Sequence, residues 1–137
     1  MGWDAGQRGL KILAVDDSES VRALVRISLA PHGFEVHEAA DGAKALAMIH
    51  EIPDLVAVVC DLNMPVMNGL VFLENLRRDP RYAALPVVML SIVGHVNDVK
   101  LARGLGVLAW LTKPFEPLRL VATLTKLLVP GGDDRGQ

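Results

Sequence analysis

The sequence predicts an α/β fold in which a parallel β-sheet is covered by helices on both faces. Short apolar segments alternate five times with segments of helical periodicity, which is the pattern of consecutive βα units. The segment Leu55–Cys60 is apolar throughout and therefore indicates a strand that is buried on both faces. The chain has 137 residues, of which 51% are hydrophobic and 22% are charged, a composition that suits one domain with a sizeable core.

The first βα unit begins with Leu10–Val15, which is almost entirely apolar and predicts the first strand. Apolar residues then recur at helical spacing over Ser18–Ala30, which predicts a helix that Ser18 or Ser20 can cap. The sequence Pro-His-Gly at 31–33 ends this helix.

The second and third units follow without a long connection. Phe34–Ala39 alternates apolar and polar residues, which predicts a half-exposed strand at the edge of the sheet. Asp41 precedes a helix that runs to about His50. Leu55–Cys60 is the third strand, and Asn68 caps the helix after it. The predicted apolar face of that helix consists of Leu70, Leu73 and Leu76.

The last two units complete the alternation. Pro86–Leu90 predicts a short apolar strand, and a weakly amphipathic helix follows over 96–105. Ala109–Thr112 predicts the final strand, and Pro117 suits the first turn of the final helix. The apolar stripe of this last helix is predicted to consist of Leu118, Val121, Leu124 and Leu128.

Five strands and five helices fit the doubly wound, flavodoxin-like strand order 2-1-3-4-5. This order places the alternating segment Phe34–Ala39 at an edge of the sheet. It also places strands 1 and 3 side by side at the topological switch point, where ligands bind beside the carboxyl ends of the strands.

Polar residues collect at these carboxyl ends. Strand 1 leads into Asp16 and Asp17, strand 3 into Asp61, strand 4 into Ser91 and strand 5 into Lys113. Three carboxylates in one cleft stay ionised together only beside a cation, and oxygen ligands without His or Cys favour Mg²⁺ over zinc. A lysine and a hydroxyl opposite a carboxylate suit a tetrahedral anion, which indicates phosphoryl chemistry.

Four short motifs occur in order along the chain: VDD at 15–17, CDLNMPVMNG at 60–69, LS at 90–91 and WLTKPF at 110–115. With this order and spacing they resemble the receiver domain of two-component response regulators. The resemblance spans 10–129, so we expect residues 1–9 and 130–137 to form a flexible lead and tail. We also expect a stand-alone receiver, similar in type to the chemotaxis regulator.

The resemblance implies a role for each residue at the strand ends. Asp61 would accept a phosphoryl group from a sensor histidine kinase or a phosphotransfer protein. Asp17 and Asp61 would bind Mg²⁺ directly, with Asp16 supporting it through water and Asn63 through its backbone carbonyl. Mn²⁺ can substitute for Mg²⁺. Lys113 would pair with the phosphoryl oxygens.

The resemblance also implies a conformational switch. Ser91 would form a hydrogen bond with the phosphoryl group, and Trp110 occupies the position of the family's aromatic switch. The surface of helix 4, strand 5 and helix 5 would then bind an unidentified downstream protein, and a phosphorylation-dependent dimer is a further expectation. Such a protein is a signalling switch and not an enzyme, because it transfers the phosphoryl group only to itself and then hydrolyses it.

Three positions depart from the family's common residues. Ile92 stands where the family often has Ala or another small residue, and we expect its branched side chain to slow the entry of attacking water. Trp110 replaces the commoner Tyr or Phe, so we expect its larger ring to switch only partly. Ser91 replaces the commoner Thr and keeps the hydroxyl.

Three other functions share features with this sequence. A phosphatase of the haloacid dehalogenase type also uses an Asp at a strand end, but its second Asp is replaced here by Asn63. A pseudo-receiver binds partners without phosphorylation, but usually lacks an acid or the lysine. An FMN carrier of the same fold needs a phosphate-binding loop after strand 1, where the acidic sequence DDSES would repel phosphate.

Charge and cysteine content limit the partners and the compartment. The net charge is −2 and the basic residues are scattered, so we expect no nucleic-acid surface. The longest apolar run is Leu55–Cys60, which is too short to cross a membrane. Cys60 is the single cysteine, so no internal disulfide can form, which fits a cytoplasmic protein.

Overall fold

Five parallel strands form one sheet in the order β2-β1-β3-β4-β5 in the structure of this chain, a computed structural model that describes residues 9–92 and 96–128. The strands are β1 Leu10–Val15, β2 Phe34–Ala39, β3 Leu55–Asp61, β4 Val87–Ser91 and β5 Val107–Thr112. The predicted flavodoxin-like order is confirmed, with β2 at an edge and β1 beside β3. Residues 1–8 of the expected lead and the whole expected tail lie outside the described residues.

One α-helix follows each strand. The helices are α1 Glu19–Leu29, α2 Gly42–Ile49, α3 Gly69–Arg78, α4 Val96–Gly104 and α5 Pro117–Leu128. Short 3-10 turns at Ala30–His32 and Pro80–Tyr82 begin the connections after α1 and α3. These bounds lie within about two residues of the predicted ones, the usual uncertainty of helix and strand ends.

Side-chain caps start the first three helices where the sequence predicts them. Ser18 Oγ accepts from Val21 N–H at 3.3 Å, Asp41 Oδ1 accepts from Lys44 N–H at 2.8 Å, and Asn68 Oδ1 accepts from Val71 N–H at 2.9 Å. Each bond satisfies a backbone donor that has no partner inside its helix. Two of these caps, Ser18 and Asn68, therefore set where the chain turns beside the carboxyl ends of β1 and β3.

The sheet separates two hydrophobic cores. Helices α2, α3 and α4 cover one face, and helices α1 and α5 cover the other. Strand β3 contributes to both cores, because Val58 and Cys60 face one and Ala57 and Val59 face the other. The prediction of a central strand buried on both faces is thus confirmed. Burial of one large apolar side chain stabilises a fold by about 1.5–3 kcal/mol, so these two layers hold the strand ends firmly in place.

The predicted apolar stripe of α5 is wrong at its first residue. Leu118 is 73% exposed, whereas Leu120, Val121 and Leu124 are buried against the sheet. Successive residues of a helix are rotated by about 100°, so Leu118 lies about 200° from Leu120, on the opposite side of the helix. The hydrophobic spacing of the sequence was compatible with both faces, and only packing against α1 and β5 selects one.

Candidate functional site

The polar residues predicted at the strand ends meet at one rim of the sheet. Asp61 is the last residue of β3, Ser91 is the last residue of β4, and Asp16 follows β1 directly. The Lys113 N–H, just after β5, donates to the Ser91 carbonyl at 2.8 Å. The parallel pairing of β1, β3, β4 and β5 therefore brings all four chain segments to the same edge.

Lys113 connects two buried carboxylates. Its Nζ lies 2.8 Å from Asp16 Oδ2 and 3.1 Å from Asp61 Oδ1. The side chains of Asp16 and Asp61 are almost inaccessible to solvent, and that of Lys113 is 15% exposed. One ammonium thus faces two acids in a poorly solvated site, where charges interact strongly.

The electrostatics of the site are unbalanced. Burial raises the pKa of Asp61 above its usual range, and repulsion by Asp16 raises it further. Lys113 and the Asn63 N–H, which donates to Asp61 Oδ1 at 3.4 Å, lower this pKa in part. Burial acts to lower the pKa of Lys113, but its pairing with Asp16 and Asp61 outweighs burial and raises it. The lysine therefore stays charged, and one negative charge in excess remains to be compensated.

A cation fits this site. One carboxylate oxygen from each of Asp16, Asp17 and Asp61 lies within 4.8 Å of the other two. The buried oxygen Asp16 Oδ2 pairs with Lys113 but accepts no well-formed hydrogen bond from the described residues. An all-oxygen donor set with an under-satisfied buried oxygen suits a hard divalent cation such as Mg²⁺.

The turn after β3 is built around the close approach of Gly69 to Asp61. A Cβ on Gly69 would lie 2.4 Å from the Asp61 carbonyl oxygen, so only glycine fits at this position. The Gly69 N–H donates to the Leu62 carbonyl at 2.8 Å and returns the chain toward the strand end. This contact gives a physical reason for the Asn-Gly pair in the CDLNMPVMNG motif.

Val66, in the same turn, is strained, which sequence inspection did not predict. It has φ of +69° and is 83% exposed, and the Met67 N–H donates across it to the Pro65 carbonyl at 2.7 Å. A three-residue turn of this type is a γ-turn, and the form with positive φ at its central residue is strained. A β-branched residue at positive φ is a rare outlier. Strain of this kind often accompanies functional sites.

Ser91 and Trp110 lie on the side of the site toward β5. Ser91 is buried at the end of β4. Trp110 pairs in register with Met89 and is half-buried against the core beneath α2, α3 and α4. Its ring also lines a cavity of about 360 Å³ together with Pro114 and Arg119. The switching roles of both residues remain predictions, and part of the connection between β4 and α4 lies outside the described residues.

A cleft of about 580 Å³ opens over the acids, and one of its walls is apolar. The apolar residues that line it include Val21 and Leu24 of α1, the 69% exposed Ile92, and Phe115. The helical spacing of apolar residues over Ser18–Ala30 predicted the helix, but it did not show that two of them, Val21 and Leu24, line the site. The helical periodicity alone does not reveal that the stripe extends beyond the sheet to the rim of the site.

Cys60 takes no part in this chemistry. Its Sγ–H lies 3.3 Å from the Asp61 carbonyl oxygen, and the side chain is fully buried. Burial, followed by the charge of Asp61, raises the pKa of the thiol well above its usual range. The reactive thiolate form is therefore suppressed, as expected for a core cysteine.

The arrangement of three acids and one lysine at a switch point matches a known family. The sequence pattern of the response regulator receiver domain matches residues 12–125. The chain belongs to the response regulator receiver domain family. The resemblance inferred from the four motifs is thus confirmed.

Several relatives of this receiver domain are chemotaxis proteins. It is 34% identical over 120 residues to chemotaxis protein CheY1 of Helicobacter pylori, covering 87% of this chain and 97% of that protein. Its sequence is 38% identical to that of CheY4 of Vibrio cholerae. The two structures align with a TM-score of 0.83 over 88% of this chain and 99% of that one. It is therefore a receiver domain of the CheY type, a class of signalling switch.

Some relatives are longer than this receiver domain. The chain is 36% identical over 119 residues to the DNA-binding transcriptional regulator RpaA of a Synechocystis strain, but it spans about half of that protein's length (48%).

Within the described residues, no helix is long and apolar enough to cross a membrane.

Proposed function

We propose that this receiver domain is a phosphorylation-controlled binding switch in which Asp61 is the phosphoacceptor. The single observation that carries the proposal is the contact of 3.1 Å between Asp61 and Lys113, with Asp16 and Asp17 within reach of the same cation. Of the described carboxylates, Asp61 alone ends the central strand beside that lysine and below the cleft.

The transfer forms a new P–O bond to a carboxylate oxygen of Asp61 while the P–N bond of a phosphohistidine breaks. The nitrogen of the donor keeps the electron pair and later takes up a proton. Lys113 already points at Asp61 and can follow the phosphoryl oxygens as they acquire charge. Hydrolysis of the aspartyl phosphate by water releases inorganic phosphate and restores the carboxylate.

Asp16, Asp17 and Asp61 would hold Mg²⁺ or Mn²⁺, with the backbone carbonyl of Asn63 as a further ligand. The cation would neutralise the excess negative charge of the acids and of the incoming phosphoryl group. This role explains why the chain keeps three acids together at an energetic cost when the cation is not bound.

The output of the switch is proposed to be the surface formed by α4, β5 and α5. Ser91 would turn toward the phosphoryl group, and Trp110 would change rotamer as the β4–α4 connection follows. Phosphorylation then biases two pre-existing conformations, and the new surface binds a downstream protein or a second copy of the chain. Fluorescence should report this change, and a Trp110→Phe variant should lose most of the response to beryllofluoride.

The apolar wall of the cleft is the proposed docking site of the phosphodonor. Val21 and Leu24 of α1 line the cleft together with the acids, and so does Ile92, which directly follows β4. A helix that carries a phosphohistidine can pack its apolar face against this wall while the imidazole reaches Asp61. The partner that carries this helix is proposed to be a sensor histidine kinase or a phosphotransfer protein.

The test is incubation with acetyl phosphate and Mg²⁺, followed by intact mass measurement. We expect an 80 Da adduct that depends on Mg²⁺ and is absent in Asp61→Asn. The matched control is Asp54→Asn, because Asp54 is an exposed carboxylate just before the opposite end of β3 and tolerates Asn at its φ of +61°. An equal adduct in Asp61→Asn, or none in the parent, would contradict the proposal.

A further inference from the structure

We propose that Arg22 is a positioning residue for the cation site, because it holds the peptide that joins Asp16 to Asp17. Arg22 lies on α1, outside the acidic cluster, and its Nη1 donates to the Asp16 carbonyl at 2.7 Å. This inference rests on the proposed function, since it assigns a role in binding the cation that the function requires.

The contacts of Asp16 show how completely its orientation is determined. Its N–H donates to the Ala39 carbonyl at 3.1 Å, and its Oδ1 accepts from the Ser18 N–H at 2.9 Å. Its Oδ2 pairs with Lys113 at 2.8 Å. The bond from Arg22 occupies the remaining group, the carbonyl, so every polar group of Asp16 has a defined direction.

Asp17 depends on this arrangement more than Asp16 does. Asp17 is exposed, and its carboxylate makes no hydrogen bond or ion pair with the described residues. Its approach to the cluster is therefore set by its backbone, and the peptide on its N-terminal side is the one whose carbonyl Arg22 holds. Rotation of that peptide would turn Asp17 away from the other two acids.

Arg22 is itself anchored by β2. Its Nε donates to Glu38 Oε1 at 3.1 Å, and its side chain is only 16% exposed. Arg26, one turn further along α1, pairs with the other oxygen of Glu38 but has a half-exposed side chain. Glu38 also directly precedes Ala39, which accepts from Asp16. Two adjacent points of β2 thus hold Asp16, one of them through Arg22.

A purely structural role for Arg22 would produce a different outcome. An ordinary surface ion pair contributes about 0–1 kcal/mol to stability and leaves a distant site unchanged. A guanidinium that donates to a carbonyl within a ligand-bearing peptide acts like the outer partners of metal ligands, whose loss weakens metal binding by about 10- to 100-fold. Arg22 and Arg26 both pair with Glu38, but it is Arg22 that also donates to the Asp16 carbonyl. Variants of the two arginines therefore distinguish a positioning role from an ordinary ion pair.

The experiment is calorimetric titration of Mg²⁺ into the full chain carrying Arg22→Met or Arg26→Met. We expect Arg22→Met to raise the Kd for Mg²⁺ about tenfold. Arg26→Met also removes an ion pair with Glu38, but it leaves the bond from Arg22 to the Asp16 carbonyl in place. The Kd of this variant for Mg²⁺ should therefore stay within about twofold of the parent's. Labelling by acetyl phosphate should be slow for Arg22→Met at low Mg²⁺ and should recover at saturating Mg²⁺.

Equal Kd values for the two variants would overturn the inference, as would a Kd of Arg22→Met equal to the parent's. If Arg22→Met does not fold, Arg22→Lys serves instead, because it keeps the charge but has one nitrogen and cannot bridge Glu38 and Asp16. We expect it to bind Mg²⁺ several-fold more weakly than the parent, and parental affinity would again contradict the inference. If the parent itself binds no Mg²⁺ and forms no adduct, both the proposed function and the role of Arg22 in binding the cation are contradicted.

Discussion

Replacement of Arg77 by Met should destabilise the fold by about 3 kcal/mol. The guanidinium of Arg77 extends from α3 and donates to backbone carbonyls of two separate connections. The acceptors are Leu105 O at 2.7 Å, Tyr82 O at 2.8 Å, Leu85 O at 2.8 Å and Gly106 O at 3.3 Å. These bonds tie α3 to the entry of β4 and to the turn between α4 and β5, which borders the proposed output surface.

The magnitude follows from the three short bonds of Arg77. A hydrogen bond from a charged donor contributes about 1.5–3 kcal/mol, so three would give at most about 4.5–9 kcal/mol. The acceptors are only partly buried, and water can replace the guanidinium at some of them, which reduces the expected loss to about 3 kcal/mol. For a chain of this size the melting temperature should fall by about 10 °C.

The assay for Arg77 is equilibrium unfolding in urea, followed by circular dichroism. Arg78→Met is the matched control, because Arg78 is the adjacent arginine of the same helix and is exposed. Arg77→Lys should lose most of the same stability, since one ammonium cannot reach carbonyls on two connections. A difference of less than about 1 kcal/mol between the Arg77→Met and Arg78→Met variants would contradict this prediction and show that water satisfies these carbonyls equally well.

Three further predictions concern the site itself. Val66→Gly should stabilise the protein by about 1 kcal/mol in urea unfolding, because it removes a β-branched side chain from positive φ; an unchanged midpoint would mean that the turn relaxes without strain. The raised pKa of Asp61 means that its ionisation opposes folding, so the Mg²⁺-free parent should lose stability as pH rises from the unfolded-state pKa, near 3.8, through the raised folded-state pKa. Asp61→Asn should therefore be more stable than the parent at neutral pH without Mg²⁺, with an advantage that shrinks in acid, and thermal melts that show no such pH dependence would contradict this. Ile92→Ala should shorten the half-life of the aspartyl phosphate, because Ile92 lines the cleft over Asp61 and restricts attacking water; an equal half-life, measured by the decay of the intact-mass adduct, would exclude that role.

Mg²⁺ should also reverse the order of stability of the parent and Asp61→Asn. A cation that binds only the folded parent stabilises it by about 2.7 kcal/mol at a hundred times its Kd. The variant lacks one ligand and should gain less.

Much of the site could be predicted from sequence because its residues stand at strand ends. Short, nearly continuous apolar segments end directly at Asp16, Asp61 and Ser91, and parallel strands place such ends at one edge of the sheet. The caps Ser18 and Asn68 were predictable for the same local reason, since a cap bonds to a backbone group within a few residues.

The remaining features depend on contacts between residues distant in sequence. Arg22 lies only six residues after Asp16, but Glu38 of β2, sixteen residues further along the chain, holds its guanidinium in place, and Arg77 reaches the turn after α4 across 28 residues of sequence. The exposure of Leu118 and the apolar wall formed by Val21 and Leu24 likewise follow from how helices sit on the sheet. A hydrophobic stripe shows that a helix is amphipathic, but it does not show which part of the stripe the neighbouring strands and helices cover.

The order of the strands, the acids and lysine at their carboxyl ends, and the family of the chain could thus be predicted from the sequence alone. These features depend on local periodicity, on capping and on motifs a few residues long. The folded arrangement was needed to show that Lys113 pairs with two buried acids, that Val66 is strained and that Arg22 donates to the peptide between Asp16 and Asp17. Distances, burial and backbone angles of this kind arise when distant segments pack together, because the free energy of packing selects one arrangement among several that the local pattern allows.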